Sequence, residues 1–292
     1  MLKLRLKQPI LYYNQLFHRQ NEPQAMRANQ GKPAYLLAFM LILLPAGVLR
    51  ADEVKGLFEI ELIANSQSAT DREQAMKQAL YGVLNRILVA DDISKIPAVQ
   101  QALQVAQNYV RQFQYSLIAA DEYSQSDARL IRVEFDQEAL MELMRQSQVG
   151  IWSEIRPRTL VWLVVDEDGK RQFYNPDDMP ELENAISLAS KIKGVPIMFP
   201  ILDLEEQQKI SVSEVLSADS RNLLNVSARY EVPAIMAARI VRKDTCWQGE
   251  WAFYFDGKIS QWNNACLPLK AAMQEGLQGA YKVLANYYGV KP

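Results

Sequence analysis

The residue types that most often carry catalysis are scarce in this chain. Its 292 residues include one histidine and two cysteines. The histidine, His18, lies in an N-terminal segment that we expect to be removed, so the mature chain would have none. Ser-His-Asp and Cys-His catalysis and histidine-ligated metal sites are then excluded. The sequence also has no C-x-x-C, Walker or G-x-G-x-x-G motif. We therefore predict no catalytic residue, no cofactor and no metal.

The two cysteines, Cys246 and Cys266, are predicted to form a structural disulfide. A secreted chain with only two cysteines usually pairs them. Asp256-Gly257 is a turn signal, and a three-residue loop at 255–257 would place the cysteines directly opposite each other on a hairpin. Two free buried thiols are the alternative.

The same register sorts the aromatic side chains of the hairpin. Trp247, Trp251, Phe253 and Phe255 would share one face, which we expect to lie in the core. Trp262 would share the other face with both cysteines. A stacking platform for sugar or nucleic acid is the alternative, although the basic residues that nucleic acid requires are missing around it.

Three carboxylates and an arginine define a candidate polar site. Asp166 and Asp203 each follow a predicted buried strand, Glu205 lies close to Asp203, and Arg229 precedes a third strand. Open α/β sheets bind ligands beyond the carboxyl ends of their strands. Paired carboxylates at that edge could hydrolyse a glycoside or hold Ca²⁺. The competing interpretation is that the acids cap helices or lie in solvent, and that Arg229 pairs with an acid such as Asp203.

The N-terminal segment has the pattern of a secretory signal. Residues 35–44 (YLLAFMLILL) are an apolar run of h-region length, whereas a membrane-spanning helix needs about 20 residues. Basic residues precede the run, and a cleavage point follows Ala51. We assign residues 1–51 to a signal peptide with an extended n-region, starting at Met1 or Met26. An uncleaved inner-membrane anchor is the alternative.

Hydrophobic periodicity predicts an α/β (α+β) chain of two open sheet-and-helix units. The first, residues 52–150, has the order β-α-α-β-β-α. The second, residues 158–292, has the order β-α-β-α-β-β-β-α and ends in a hairpin and a helix. The elements predicted around its candidate site are strands at 159–165, 195–203 and 233–241, a loop at 166–180 and a helix at 211–229.

The second half resembles the domain of unknown function 2066, a family of proteobacterial secreted proteins without an established activity. The matching runs are RPRTLVWLVVDE, FPILDLEE, SARYEVPAIMAARI and WQGEWAF. The first half is similar to the same family at residues 67–88. The topology also resembles, as a fold-level analogy, α/β modules of envelope-assembly lipoproteins. The resemblance implies an exported protein and assigns no site residue.

These observations predict a non-enzymatic periplasmic protein that binds or helps to assemble other envelope components. The expected partners are envelope proteins, with membrane contact only through an uncleaved signal segment. Nucleic acid is not an expected partner, because the formal net charge is −2. The alternative is a periplasmic ligand-binding or hydrolytic enzyme that uses acids near Asp166 and Asp203.

Overall fold

The computed structural model describes residues 51–54, 56–90, 92–118, 127–152, 154–217 and 219–290. The predicted signal segment, with His18, and most of a loop predicted at 124–127 lie outside the described residues. The described residues group into one compact unit, and the proposed division at 52–150 and 158–292 stays a prediction.

The secondary structure is mixed, which confirms the predicted α/β class. The described helices are α1 Ala69–Ile87, α2 Pro97–Gln104, α3 Gln137–Ser147, α4 Pro180–Lys193, α5 Leu204–Lys209, α6 Arg221–Ser227 and α7 Leu269–Tyr288. The described strands are β1 Ala51–Glu53, β2 Glu59–Ala64, β3 Leu88–Val89, β4 Val110–Ser116, β5 Arg129–Phe135, β6 Gly150–Ile151, β7 Ile155–Pro157, β8 Thr159–Glu167, β9 Lys170–Phe173, β10 Ile197–Met198, β11 Ala234–Lys243, β12 Cys246–Phe255 and β13 Lys258–Leu267. Among these helices none is long and apolar enough to cross a membrane.

The first half is a three-stranded antiparallel sheet with helices on one face. The strand order is β2-β5-β4. Ile131, Val133 and Phe135 alternate along β5 and are buried against residues of α1, α2 and α3. Glu61 and Arg132, at neighbouring positions of β2 and β5, form an ion pair. The sheet therefore has one apolar face and one face that carries charged side chains.

The second half is built on a larger mixed sheet of order β10-β8-β11-β12-β13, with β9 also paired to β8. Strand β8 runs parallel to β10 and β11, and residues 159–165 are buried on both faces. Helices α4 and α7 cover one face. The other face packs against residues of the 202–230 segment, which include Val215 and Leu223. A strand covered on both sides explains the continuous apolar run.

Three predicted elements near the candidate site differ in the structure. The loop predicted at 166–180 contains β9. The strand predicted at 195–203 shrinks to β10, because Pro196 and Pro200 on either side cannot donate to a sheet. The helix predicted at 211–229 is replaced by a turn and α6. Glu214 accepts bonds from the amide and the hydroxyl of Ser211 and closes that turn.

A buried arginine links the two halves. The side chain of Arg156 is 0% exposed, and its guanidinium lies 4.2 Å from the ring centre of Trp152. It donates to the carbonyl oxygens of Lys193 at 2.8 Å, Gly194 at 2.9 Å, Arg86 at 2.6 Å and Trp152 at 3.1 Å. Burial lowers the pKa of Arg156 to about 10. One charged group thus joins the ends of α1 and α4.

The C-terminal helix also contacts the first half. The hydroxyl of Tyr281 in α7 donates to the carbonyl oxygen of Leu88 at 2.7 Å. Beyond the helix, Val290 and Ile151 exchange two backbone hydrogen bonds of 2.8 Å. The end of the described chain is therefore fastened to the strands that follow α1 and α3.

Candidate functional site

Residues 201–206, here called the 201–206 turn, lie after β10 and include the first three residues of α5. Asp203 begins the helix, because its Oδ1 accepts the amide hydrogen of Glu206 at 2.9 Å. Leu202 has φ +55°, a left-handed conformation that costs a non-glycine residue about 1 kcal/mol. The turn therefore needs supporting contacts to hold this backbone.

A buried carboxylate supplies those contacts. The side chain of Glu206 is 1% exposed. Its Oε2 accepts the Leu202 amide at 2.7 Å, and its Oε1 accepts the Tyr230 hydroxyl. The Tyr230 oxygen accepts the Ile201 amide at 2.7 Å, and Arg229 Nη1 lies 3.4 Å from Oε1. These partners satisfy a charge that would otherwise be costly to bury.

Three side chains beside Glu206 have pKa values shifted from their ordinary range. Burial, together with the hydrogen bond to Glu206, raises the pKa of Tyr230 to about 12, so the hydroxyl stays a donor at neutral pH. The pKa of Asp203 is lowered by the Glu206 amide and by Arg229. The pKa of Glu205 is lowered by its hydrogen bond with Lys209.

Two exposed ion pairs lie beside the turn. Arg229 Nη1 is 2.9 Å from Asp203 Oδ2, and Lys209 Nζ is 2.6 Å from Glu205 Oε1. The contact between Arg229 and Asp203 is the one expected under the competing interpretation of the sequence, in which Arg229 pairs with an acid. Each acid of this group has a partner in the structure, and no open pair of carboxylates remains there to act on a ligand.

The turn presents large apolar side chains to solvent. Ile201 is 71% exposed and Leu204 is 77% exposed. They flank Asp203 within four residues of chain, and the network around Glu206 fixes the backbone that carries them. The turn therefore holds two large apolar side chains in solvent at fixed backbone positions.

Asp166, the fourth predicted site residue, lies elsewhere. It is near the carboxyl end of β8 and accepts a hydrogen bond from Arg171 Nε at 2.7 Å. Arg229, which contacts Asp203, lies five residues before the first residue of β11, and that residue pairs with Thr159 at the start of β8. At about 3.3 Å per residue, Thr159 and Asp166 lie roughly 23 Å apart along β8.

The expected convergence of Asp166 and Asp203 fails for a specific reason. β10 pairs only with the first residues of β8 and ends at Met198, beside Leu160. Asp203 therefore does not reach the carboxyl edge of the sheet. Within the described ranges, no group of three or more His, Cys, Asp or Glu is placed to hold a metal ion.

The structure joins Cys246 and Cys266 by a disulfide, with 5.2 Å between their Cα atoms. The predicted register is wrong by one residue. The loop contains only Asp256 and Gly257, with φ of +52° and +68°. Phe255, which precedes the loop, pairs with Lys258, which follows it. Two residues with positive φ are typical of a type I′ turn.

This change moves Trp262 to the opposite face from the one predicted. It lies directly across from Trp251, and both pack with the core under α7. A one-residue slip exchanges the two faces of a strand, which explains the error. The cysteines are bonded although they are not directly opposite each other, because a register shift between Trp247 and Gly249 places Leu267 opposite Trp247.

A groove that the sequence did not predict runs between β2 and the end of α4. Its volume is about 690 Å³, and its lining includes Glu61, Arg132, Leu188 and Lys191. Arg132 Nη2 lies 3.1 Å from Glu61 Oε2, so these two lining charges are paired with each other. Alternation along β2 indicates a polar face, but no local pattern indicates that α4 lies over it.

Sequence reasoning also missed the central role of Glu206 and Tyr230. Each directly follows a predicted site residue, since Glu206 comes after Glu205 and Tyr230 after Arg229. The available signal was an acid three residues after an Asp cap, where a side chain can reach back to the turn. Nothing local shows that Tyr230 lies beside it.

Comparison with known proteins corrects the family resemblance. Residues 51–153 match the family model described as Domain of unknown function (DUF8605). The resemblance to the domain of unknown function 2066 is therefore wrong, because the matching family is a different one. No curated protein matches the chain. A solved structure, the LpoB C-terminal domain from Salmonella enterica, aligns over 38% of this chain and 82% of its own, with 13% identity and a TM-score of 0.26.

Proposed function

We propose that this protein is a non-enzymatic binding protein of the cell envelope, and that the 201–206 turn contacts another envelope protein. The observation that carries the proposal is the exposure of Ile201 and Leu204 on a backbone fixed by the buried Glu206. The turn supplies apolar anchors without any mobile segment having to become ordered on binding.

The energetics of the turn support this assignment. In the isolated protein the bonds to Glu206 hold the turn, but the side chains of Ile201 and Leu204 gain nothing from their exposure to water. Burial in an interface would recover about 1.5–3 kcal/mol for each aliphatic side chain. A surface held in its bound conformation also avoids the entropy loss of ordering.

The surroundings suggest the chemistry of the partner. The pairs Asp203–Arg229 and Glu205–Lys209 place both signs of charge beside the two aliphatic residues. Interfaces commonly have an apolar centre and a polar rim. The expected partner surface is an aliphatic pocket rimmed by charges of both signs.

The disulfide supports the proposed compartment. Bonds of this kind persist in the periplasm and are rare in the cytosol, and the apolar run at 35–44 is typical of an exported chain. We expect a mature periplasmic protein, or one anchored in the inner membrane if the run is uncleaved. Mass spectrometry of the N-terminus in periplasmic and membrane fractions distinguishes the two. The enzymatic alternative has less support, because Asp166 and Asp203 lie at opposite ends of β8.

Site-specific photo-crosslinking in intact cells tests the proposed surface. A photoreactive residue at Leu204 should yield a discrete cross-linked envelope protein. The matched control is Leu117, which is 79% exposed and belongs to the first half of the chain. Equal patterns from both positions, or no product from Leu204, would contradict the proposal.

A second pair of variants separates the turn from general stability. In Glu206→Gln an amide nitrogen replaces one of the two accepting oxygens, so one of the two donors loses its partner. The cross-link from Leu204 should then weaken several-fold, while Glu142→Gln, at an exposed position of α3 outside the turn, should leave it unchanged. An unaltered cross-link in Glu206→Gln with an intact fold would show that the turn geometry does not matter.

A further inference from the structure

Strand β13 is an open edge of the large sheet. It pairs with β12 on one side, and no described strand lies on its other side. It has ten residues, of which only the first, Lys258, is charged. Edge strands in natural proteins are usually protected by charge, proline, short length or bulges against pairing with other chains.

The other edges of the two larger sheets do carry such protection. Each is short, charged, irregular or flanked by proline. The protecting features are Glu59 and Glu61 in β2, Arg111 and a register shift in β4, Lys170 and Arg171 in β9, and Pro196 and Pro200 around the two-residue β10. The first seven residues of β13 are regular, and its register shift comes only after Asn264. Among the edges of these two sheets, as far as the structure describes the chain, β13 is thus the exception.

The hairpin determines which backbone groups face outward. In a two-residue hairpin the closing pair, here Phe255 and Lys258, is hydrogen-bonded, and bonded pairs alternate along the ladder. The amides and carbonyls of the intervening residues, Ile259, Gln261 and Asn263, therefore point to the open edge. All three side chains are exposed.

These three residues match a second copy of themselves. In an antiparallel pairing with Gln261 opposite Gln261 of the second copy, Ile259 lies opposite Asn263 in both directions. All three outward-facing residues would then form bonded pairs, with about six new hydrogen bonds. Lys258 would lie opposite Asn264, so no like charges meet.

We propose that two copies of this protein associate through β13, antiparallel, with the two-fold axis at Gln261, and form one continuous sheet. A two-fold pairing requires a strand that is complementary to itself, and the uncharged segment from Ile259 to Asn264 meets that requirement. The 201–206 turn follows β10 at the opposite edge of the sheet, so the dimer would present two copies of the turn. The pairing does not depend on the function proposed for that turn.

Two charged substitutions at Gln261, one positive and one negative, test the proposal because this residue lies on the two-fold axis. Gln261→Lys and Gln261→Glu each put like charges across the two-fold, which destabilises a cross-strand pair. The full chain of each variant should have the monomer mass in size-exclusion chromatography with light scattering, at a concentration where the wild type has twice that mass. An equimolar mixture of the two should recover the dimer.

The controls are Gln248→Lys and Gln248→Glu, at an exposed position of β12 away from the open edge. Both should keep the wild-type mass, and circular dichroism should show that all four variants fold. A wild type that stays monomeric, a Gln261→Lys variant that still dimerises, or a mixture that fails to recover the dimer would each overturn the proposal. If β13 instead pairs with a strand of a different protein, the wild type alone would stay monomeric, which is the first of these outcomes.

Discussion

Replacing Arg156 by methionine should weaken the junction between the two halves. The guanidinium donates to four backbone carbonyls that belong to α1, α4 and the segment after β6. Methionine fills much of the same volume but donates no hydrogen bond. Because the side chain is 0% exposed, water cannot simply replace the lost donors.

The magnitude follows from the number of acceptors. A hydrogen bond contributes about 1 kcal/mol net, and a buried group left without a partner costs about 1–3 kcal/mol. Summed over four acceptors, this cost would give a larger loss of stability. Removal of the guanidinium also removes a buried charge, which is itself unfavourable, as the lowered pKa of Arg156 indicates. We expect the free energy of unfolding to fall by about 3–5 kcal/mol, the range for breaking a buried charged interaction.

Chemical denaturation followed by circular dichroism measures this change. Arg156→Lys is the matched variant, because lysine keeps the charge but has fewer donors and no planar fork. It should lose less stability than Arg156→Met. A methionine variant within about 1 kcal/mol of the wild type, the size of an ordinary substitution, would refute the view that this group joins the halves.

Further predictions concern the disulfide, one buried lysine and two glycines. Cys246→Ser with Cys266→Ser should lower the free energy of unfolding by about 2–4 kcal/mol. The wild type should lose a similar amount on reduction, whereas a double mutant that responds to reductant would contradict this. Burial lowers the pKa of Lys193 to about 8. Above that pH the unfolded chain binds more protons than the folded protein, so the free energy of unfolding should rise from pH 8 to 10. Lys193→Met should flatten this rise in denaturation experiments at several pH values. Gly194→Ala should lower the melting temperature more than Gly169→Ala. Both glycines have positive φ, but a Cβ at 194 would lie 2.9 Å from the buried guanidinium nitrogen, whereas no described neighbour lies within 4 Å of one at 169.

Local patterns predicted the long elements well. The apolar run of β8 lies where the sequence placed a buried strand, and α1 is a helix at the second place in the order predicted for the first unit. These signals depend on neighbours a few residues apart, so a single sequence contains them. The boundaries at 195–203 and 211–229 failed, because proline placement and side-chain bonds to the backbone ended the regular structure there.

The candidate site was predicted only in part. The structure does bring Asp203, Glu205 and Arg229 into one region. Asp166 was grouped with them because the sequence does not show how far β10 extends along β8. The turn at Asp256-Gly257 was found, but its length was not, and one residue there changed the face of Trp262. Such errors arise from long-range pairing, which local periodicity does not contain.

The fastening of α7 to the first half has a consequence for biosynthesis. Tyr281 bonds to Leu88 across 193 positions of sequence, and Val290 pairs with Ile151. While the ribosome still holds these last residues, a nascent chain can form α1 and the small sheet, but it cannot bury Leu88 and Ile151 as the finished protein does. The first half therefore completes its tertiary contacts only after residues 281–290 have left the ribosome. Throughout the synthesis of residues 158–280, Leu88 and Ile151 stay without these two partners.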